Sequence, residues 1–131
     1  MTRKSVTTGG PALASADMDQ AEPVDDLDGP IADPGHHKVV FENAHVLVLE
    51  TVIEVGDMTP LHTHLTRHLM IASSGSHFIR RDATGDVVFD TRATQPPSVI
   101  QPIAWDDGTP AHTLENTGDD VIRVTAIELK P

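Results

Sequence analysis

Gly56-Asp-Met-Thr-Pro-Leu-His62-Thr-His64-Leu-Thr-Arg-His68-Leu-Met-Ile-Ala-Ser-Ser-Gly75 is the stretch on which the reading of this chain turns. Three histidines fall within seven residues. His62 and His64 are two apart, so on an extended strand both imidazoles face the same way. Two neutral imidazoles side by side form half of a metal site. Gly56 and Gly75 bracket them as turn residues would. With 8 histidines in 131 residues, one His-x-His pair alone is weak evidence, and a solvated strand histidine is the ordinary reading of any single one. A fourth histidine shifts the balance. His112 opens the run His-Thr-Leu-Glu-Asn116, just after the turn-rich Asp106-Asp-Gly-Thr-Pro110. A strand pair and a distant strand histidine can converge inside a barrel.

Outward from this stretch the pattern is β. Lys38–Glu42 reads as a short strand and Asn43-Ala44 as a turn. His45–Glu54 is a long strand, too continuously apolar to be exposed on both faces. Gly56-Asp57 is a turn, and Pro60 suggests an edge or a kink before the histidine pair. His68–Ala72 is the next strand. Ser76–Asp82 and Val87–Arg92 flank Ala83-Thr-Gly85-Asp86, a hairpin signal. Ala93–Ser98, with Pro96-Pro97, reads as a loop, Val99–Ile103 as a strand, and 106–110 as a turn. Ala111–Asn116 and Val121–Leu129 make a last hairpin around Thr117-Gly-Asp-Asp120. No apolar 3.6-residue period runs for three turns, so no helix is expected. Eight or nine short strands at such spacings suggest an all-β sandwich or barrel.

Composition narrows the function. At 14.1 kDa the chain is one domain at most. A net charge of −11 argues against a partner bound by phosphate neutralisation, so no nucleic acid is expected. There is no cysteine, which removes disulfides and thiolate metal sites and leaves His and carboxylate as ligands. No run approaches the ~20 apolar residues of a membrane span. Arg3 and Lys4 have no apolar segment behind them, so no secretory signal is read and a cytoplasmic location is expected.

Residues 1–35 read as a disordered acidic tail. They hold no aromatic residue, and seven acids stand against Arg3 and Lys4, nearly half of the net charge. Pro11, Pro23, Pro30 and Pro34 interrupt any regular element. Such a segment buries too little apolar surface to offset its ordering entropy. Ile31–Gly35 is expected to pack on the barrel as a lead-in, and residues 36–131 form the barrel domain.

Gly56, His62, His64 and Gly75 match in register the first motif of the cupin superfamily, Gly-x5-His-x-His-x3 or x4-Glu-x6-Gly, and the chain resembles the small single-domain cupins over roughly residues 38–129. His68 stands where the family has Glu. The second motif, Gly-x5-Pro-x-Gly-x2-His-x3-Asn, is matched at His112 and Asn116, with Asp107 and Thr109 at its Pro and second Gly positions. The resemblance implies an RmlC-like, double-stranded β-helix jelly-roll barrel. It also implies that His62, His64 and His112 are metal ligands, with His68 a fourth ligand or a proton shuttle beside them.

The implied cofactor is a divalent transition metal, with Fe, Zn, Ni and Mn all compatible with imidazole. Replacing a carboxylate by an imidazole leaves more net charge on the metal, which favours an anionic small-molecule substrate. The expected activity is metal-dependent oxygenase chemistry on a small organic acid or carbonyl compound. A metal-dependent isomerase or lyase using metal-bound water and a non-catalytic binding or sensing cupin are the alternatives. A homodimer is expected, since small cupins often pair through sheet edges.

Arg80 and Arg81 are adjacent on one expected strand, so alternation sends one inward. An inward arginine could hold a substrate carboxylate; a bulge or rim position leaving both solvated is the plainer reading. Trp105 reads as a core or rim residue, and Asn116 as a strand-end hydrogen-bonding residue. His36, His37, His45 and His77 have no partner at ligand spacing and receive no role, beyond stray metal binding by His36-His37.

Overall fold

Among the described residues, nine strands carry the chain back and forth between two antiparallel sheets. In chain order they are β1 (His37–Glu42), β2 (Val46–Ile53), β3 (His62–His64), β4 (His68–Ser74), β5 (Phe78–Asp82), β6 (Val87–Asp90), β7 (Ile103–Asp106), β8 (Thr109–Asn116) and β9 (Ile122–Leu129). This computed structural model describes residues 26–93 and 102–131. One sheet has the order β1-β2-β9-β4-β7 and the other β3-β8-β5-β6. Neighbours in the sheets are mostly distant in sequence, as in a jelly roll, where each sheet recruits strands from both halves of the chain.

Period-2 alternation sets what faces the interior. On β2, Leu49 and Ile53 are buried while Glu50 between them is exposed. On β9, Ile122, Ala126 and Glu128 are buried. Phe78 opens β5 and packs between the sheets with Ile53 and Ile122, joined by Leu114 and Val124. This is the apolar end of the barrel, and full burial of each large side chain there contributes about 1.5–3 kcal/mol. Asn116 closes it with a buried amide. Its Nδ2 donates to the carbonyls of Ile53 and Asp120 (3.0 and 2.8 Å), and its Oδ1 accepts from the Gly118 amide at 3.1 Å. The expected strand-end role of Asn116 is therefore observed.

The expected strands are present with shifted ends. β1 begins one residue early, at His37. β7 runs Ile103–Asp106, whereas a strand was expected over 99–103, most of which lies outside the described residues, as does most of the expected loop 93–98. Asp106, read as a turn residue, is thus the last residue of a strand. Trp105 is half exposed on β7, its Nε1 donating to Asp107 at 2.8 Å, and so is a surface residue.

Residues 1–25 of the acidic leader lie outside the described residues. The stretch from Asp26 onward is placed on the barrel, earlier than the lead-in expected from Ile31. A single helical turn, α1 (Gly29–Ala32), has Pro30 in its first turn, where a missing amide proton costs nothing. Asp28 forms a parallel bridge with Thr63 of β3, whose amide donates to the Leu27 carbonyl at 2.6 Å. Among the described residues no helix is long and apolar enough to cross a membrane.

Candidate metal centre

The end of the barrel opposite the apolar cluster is lined with imidazole. β3 presents His62 and His64 towards the space between the sheets, as their two-residue spacing requires. β8 pairs with β3 so that His112 lies directly across from His62, and their ring centroids are 4.4 Å apart. His68 opens β4 in the facing sheet, its ring 5.8 Å from that of His64. His64 and His112 rings are 5.7 Å apart. All four histidines singled out in the sequence therefore share one interior region.

A fifth joins them. His37, at the first position of β1, places its ring 4.7 Å from His62 and 4.9 Å from His64. One nitrogen each of His37, His62 and His64 lies within 4.8 Å of the other two, a spacing that could hold one metal ion. Nothing in the sequence ties His37 to these rings, because its partners are twenty-five and more residues away. The only local signal was an alternation that turns one of His36 and His37 inward.

The histidines are oriented by their backbones. Ring Nδ1 of His62 lies 2.8 Å from the Pro60 carbonyl, that of His112 2.8 Å from Pro110, and that of His68 2.7 Å from Thr66. His37 Nδ1 lies 3.1 Å from the Asp33 carbonyl. A carbonyl can only accept, so each Nδ1 carries the proton and each Nε2 keeps its lone pair. Pro60 and Pro110 thus have a shared task, each two residues before a histidine. This is the outer hydrogen bonding that fixes the tautomer of metal-ligating imidazoles. His64 differs: its Nδ1 is buried with no hydrogen-bond partner among the described residues, 3.9 Å from a Glu128 carboxylate oxygen.

The electrostatics keep His37, His62, His64 and His112 neutral. Burial, reinforced by repulsion from neighbouring imidazoles, lowers the pKa of His37 and His64 to about 3. Burial also lowers His112 to about 3 and pushes His62 below its ordinary value. Neutral imidazole is the metal-binding form. The donor set, the fixed tautomers and the unpartnered His64 nitrogen together fit a divalent transition metal.

Carboxylates lie beside the imidazoles. In the register of the five-stranded sheet, His68 is flanked by Glu128 on β9 and Asp106 on β7, and its Nε2 is 3.9 Å from Asp106. Acids thus stand on the two strands next to His68, the residue found where the cupin motif has Glu.

The N-terminal segment closes this end. A Cβ added to Gly29 would lie 2.7 Å from His64 Cε1 and 3.3 Å from His37 Cδ2. Only glycine lets α1 rest this close to the rings. His36 holds the segment down: Nδ1 meets Asp33 and Nε2 meets Asp57 in the turn before β3, both at 2.6 Å. Burial opposes protonation of His36, but the two carboxylates outweigh it and raise its pKa. His36 and His37 thus have separate tasks. His77 Nδ1 contacts Thr91 Oγ1 at 2.9 Å, and His45 is exposed.

No family model matches the chain, and no curated protein matches it in sequence. Solved structures do match in shape. A cupin domain from Bordetella pertussis Tohama I superposes with a TM-score of 0.58 at 18% identity, over 72% of this chain and 92% of that one. This chain folds as a small cupin. An RmlC-like cupin with a double-stranded β-helix fold from Methanocaldococcus jannaschii matches with a TM-score of 0.50 at 10% identity, over 71% and 77% of the two chains. At such identities the likeness concerns the fold alone, and the chemistry has to be argued from this chain's own residues.

Proposed function

We propose that this cupin is a metal-dependent oxygenase of a small organic acid or carbonyl compound. The observation that carries the reading is the mutual approach, within 4.8 Å, of nitrogens from His37, His62 and His64 between the two sheets. In this reading those three hold the metal, and His112, against His62, completes the set. Carbonyl contacts at Pro60, Pro110 and Asp33 orient the donors before any ligand arrives. Bound there, Fe, Zn, Ni or Mn supplies Lewis acidity, and iron also dioxygen activation. α1 and the α1–β1 turn exclude bulk water from the rings, which strengthens every charge interaction within.

A non-redox isomerase or lyase is the second reading. It is supported by the row Asp106–His68–Glu128, in which an imidazole between two carboxylates can take up and return a proton. Pairing of two copies through β1 also belongs to the proposal, since that edge strand exposes Val39, Val40 and Phe41.

Metal analysis of untagged protein tests the site, with about one equivalent expected. Less than about a tenth of an equivalent, unrestored by Fe, Zn, Ni or Mn, removes both enzyme readings. Oxygen uptake by the Fe(II) form, across small acids and diketones, separates the two: consumption coupled to substrate loss supports the oxygenase, and turnover without it the isomerase or lyase. Sedimentation velocity tests the dimer.

A further inference from the structure

We propose that Arg80 is the anion-binding residue of the barrel interior and that the ligand of this site is a small carboxylate, held by the Arg80 guanidinium beside the histidine cluster. The substrate class rests on the metal-centre reading above; the placement of the arginine does not.

β5 and β8 pair without a break from Phe78↔Asn116 to Asp82↔His112, so the facing of each β5 side chain is set. Phe78 is in the apolar core. Arg80, two residues on, shares its face, lies opposite Leu114 and is diagonal to His112. Arg81 faces the other way and pairs with Glu115 outside the barrel at 2.9 Å. A register shift between Arg80 and Arg81 does occur against β6, yet it does not leave both arginines solvated.

The inner guanidinium is half-buried and incompletely satisfied. Arg80 Nε is buried without a hydrogen-bond partner, and the side chain enters no salt bridge among the described residues. The Phe78 ring lies 6.0 Å from Cζ, at the outer limit of a cation–π contact. Burial disfavours its charge, and Asp106, already engaged by Thr109 and Gly108, only partly offsets this. The Arg80 charge helps to keep His62, His64 and His112 neutral. A half-buried guanidinium whose Nε has no partner carries a desolvation cost. An anion meeting its planar fork supplies the missing partner, and a carboxylate fits that fork with two parallel bonds. The chain's net charge of −11 repels anions at long range, so selection for a carboxylate has to be local, as it is here.

The test is calorimetric titration of metal-free and metal-loaded protein with acetate, pyruvate and succinate in low-chloride buffer, with pyruvamide as the neutral counterpart of pyruvate. At least one carboxylate is expected to bind wild type, with pyruvamide weaker than pyruvate if pyruvate is that ligand. Arg80→Met is expected to lose about tenfold or more in carboxylate affinity, with metal content unchanged and a melting temperature no lower than wild type. Arg80→Lys, which keeps the charge without the fork, is expected to fall between; it also serves if Arg80→Met does not fold. Equal carboxylate affinity in the variants, a neutral amide binding as well as its acid, or no carboxylate binding in either form overturns the assignment. Absence of metal with Arg80-dependent carboxylate binding intact would instead sink the metal reading alone.

Discussion

The two ends of this barrel are both buried and are built from opposite chemistry. At one end Ile53, Phe78 and Ile122 pack as hydrocarbon. At the other His37, His62, His68 and His112 are each no more than 5% exposed, yet offer nitrogen lone pairs to the space between the sheets. The apolar end gains free energy simply by being dry. The imidazole end holds a His64 nitrogen and an Arg80 Nε that have no hydrogen-bond partner among the described residues, which are costs unless a ligand arrives. Stability is therefore expected to reside in the first region and binding in the second.

The largest expected effect breaks the first region. Phe78→Ala should cost about 3–5 kcal/mol in urea unfolding, while the molecules still folded keep wild-type metal content. Loss of metal in proportion to stability would mean that the two ends are not separable. His62→Ala or His64→Ala should do the reverse, with metal lost on dialysis and the metal-free melting temperature little changed. His37→Ala should weaken metal affinity at least about tenfold; unchanged affinity in a competition titration would remove β1 from the site.

Acid sharpens the comparison. The folded pKa of His37, His64 and His112 is about 3, below the ordinary 6.5. The unfolded chain therefore binds more protons across that window, and stability of the metal-free protein should fall as pH drops from about 6.5 towards 3. Replacing His64 with Leu should flatten that slope, and a chemical-denaturation series over pH would show it. Asp57 bonds His36, which lowers its pKa, so its contribution too is lost as pH falls. The smallest effect is expected at Gly29→Ala. The added methyl must displace the His64 ring or lift α1, which should reduce metal affinity several-fold with folding nearly intact. Wild-type affinity would show that α1 moves aside freely.

How much of this was legible in the residues follows from the range of each signal. The β pattern, the hairpin at Gly85 and the shared face of His62 and His64 depend on neighbours one to five residues apart. The resemblance to the cupin motifs, matched at His112 and Asn116 in the second and with His68 in place of Glu in the first, then implied that these two histidines join the pair. Nothing local marked His37 as a partner of His62, because β1 reaches β3 only when the two sheets close on each other. The acids flanking His68 were invisible for the same reason, since β9 and β7 lie far along the chain. Alternation said that one of Arg80 and Arg81 points inward, and only the register against β8 says which.

The sequence by itself determined an all-β chain with imidazoles spaced to share a face, because a strand's two-residue period is a property of the backbone. The tertiary structure decided that five imidazoles and one arginine gather at one end while hydrocarbon fills the other. That choice depends on strand order and register, which bring together residues whose separation along the chain carries no record of their proximity in space.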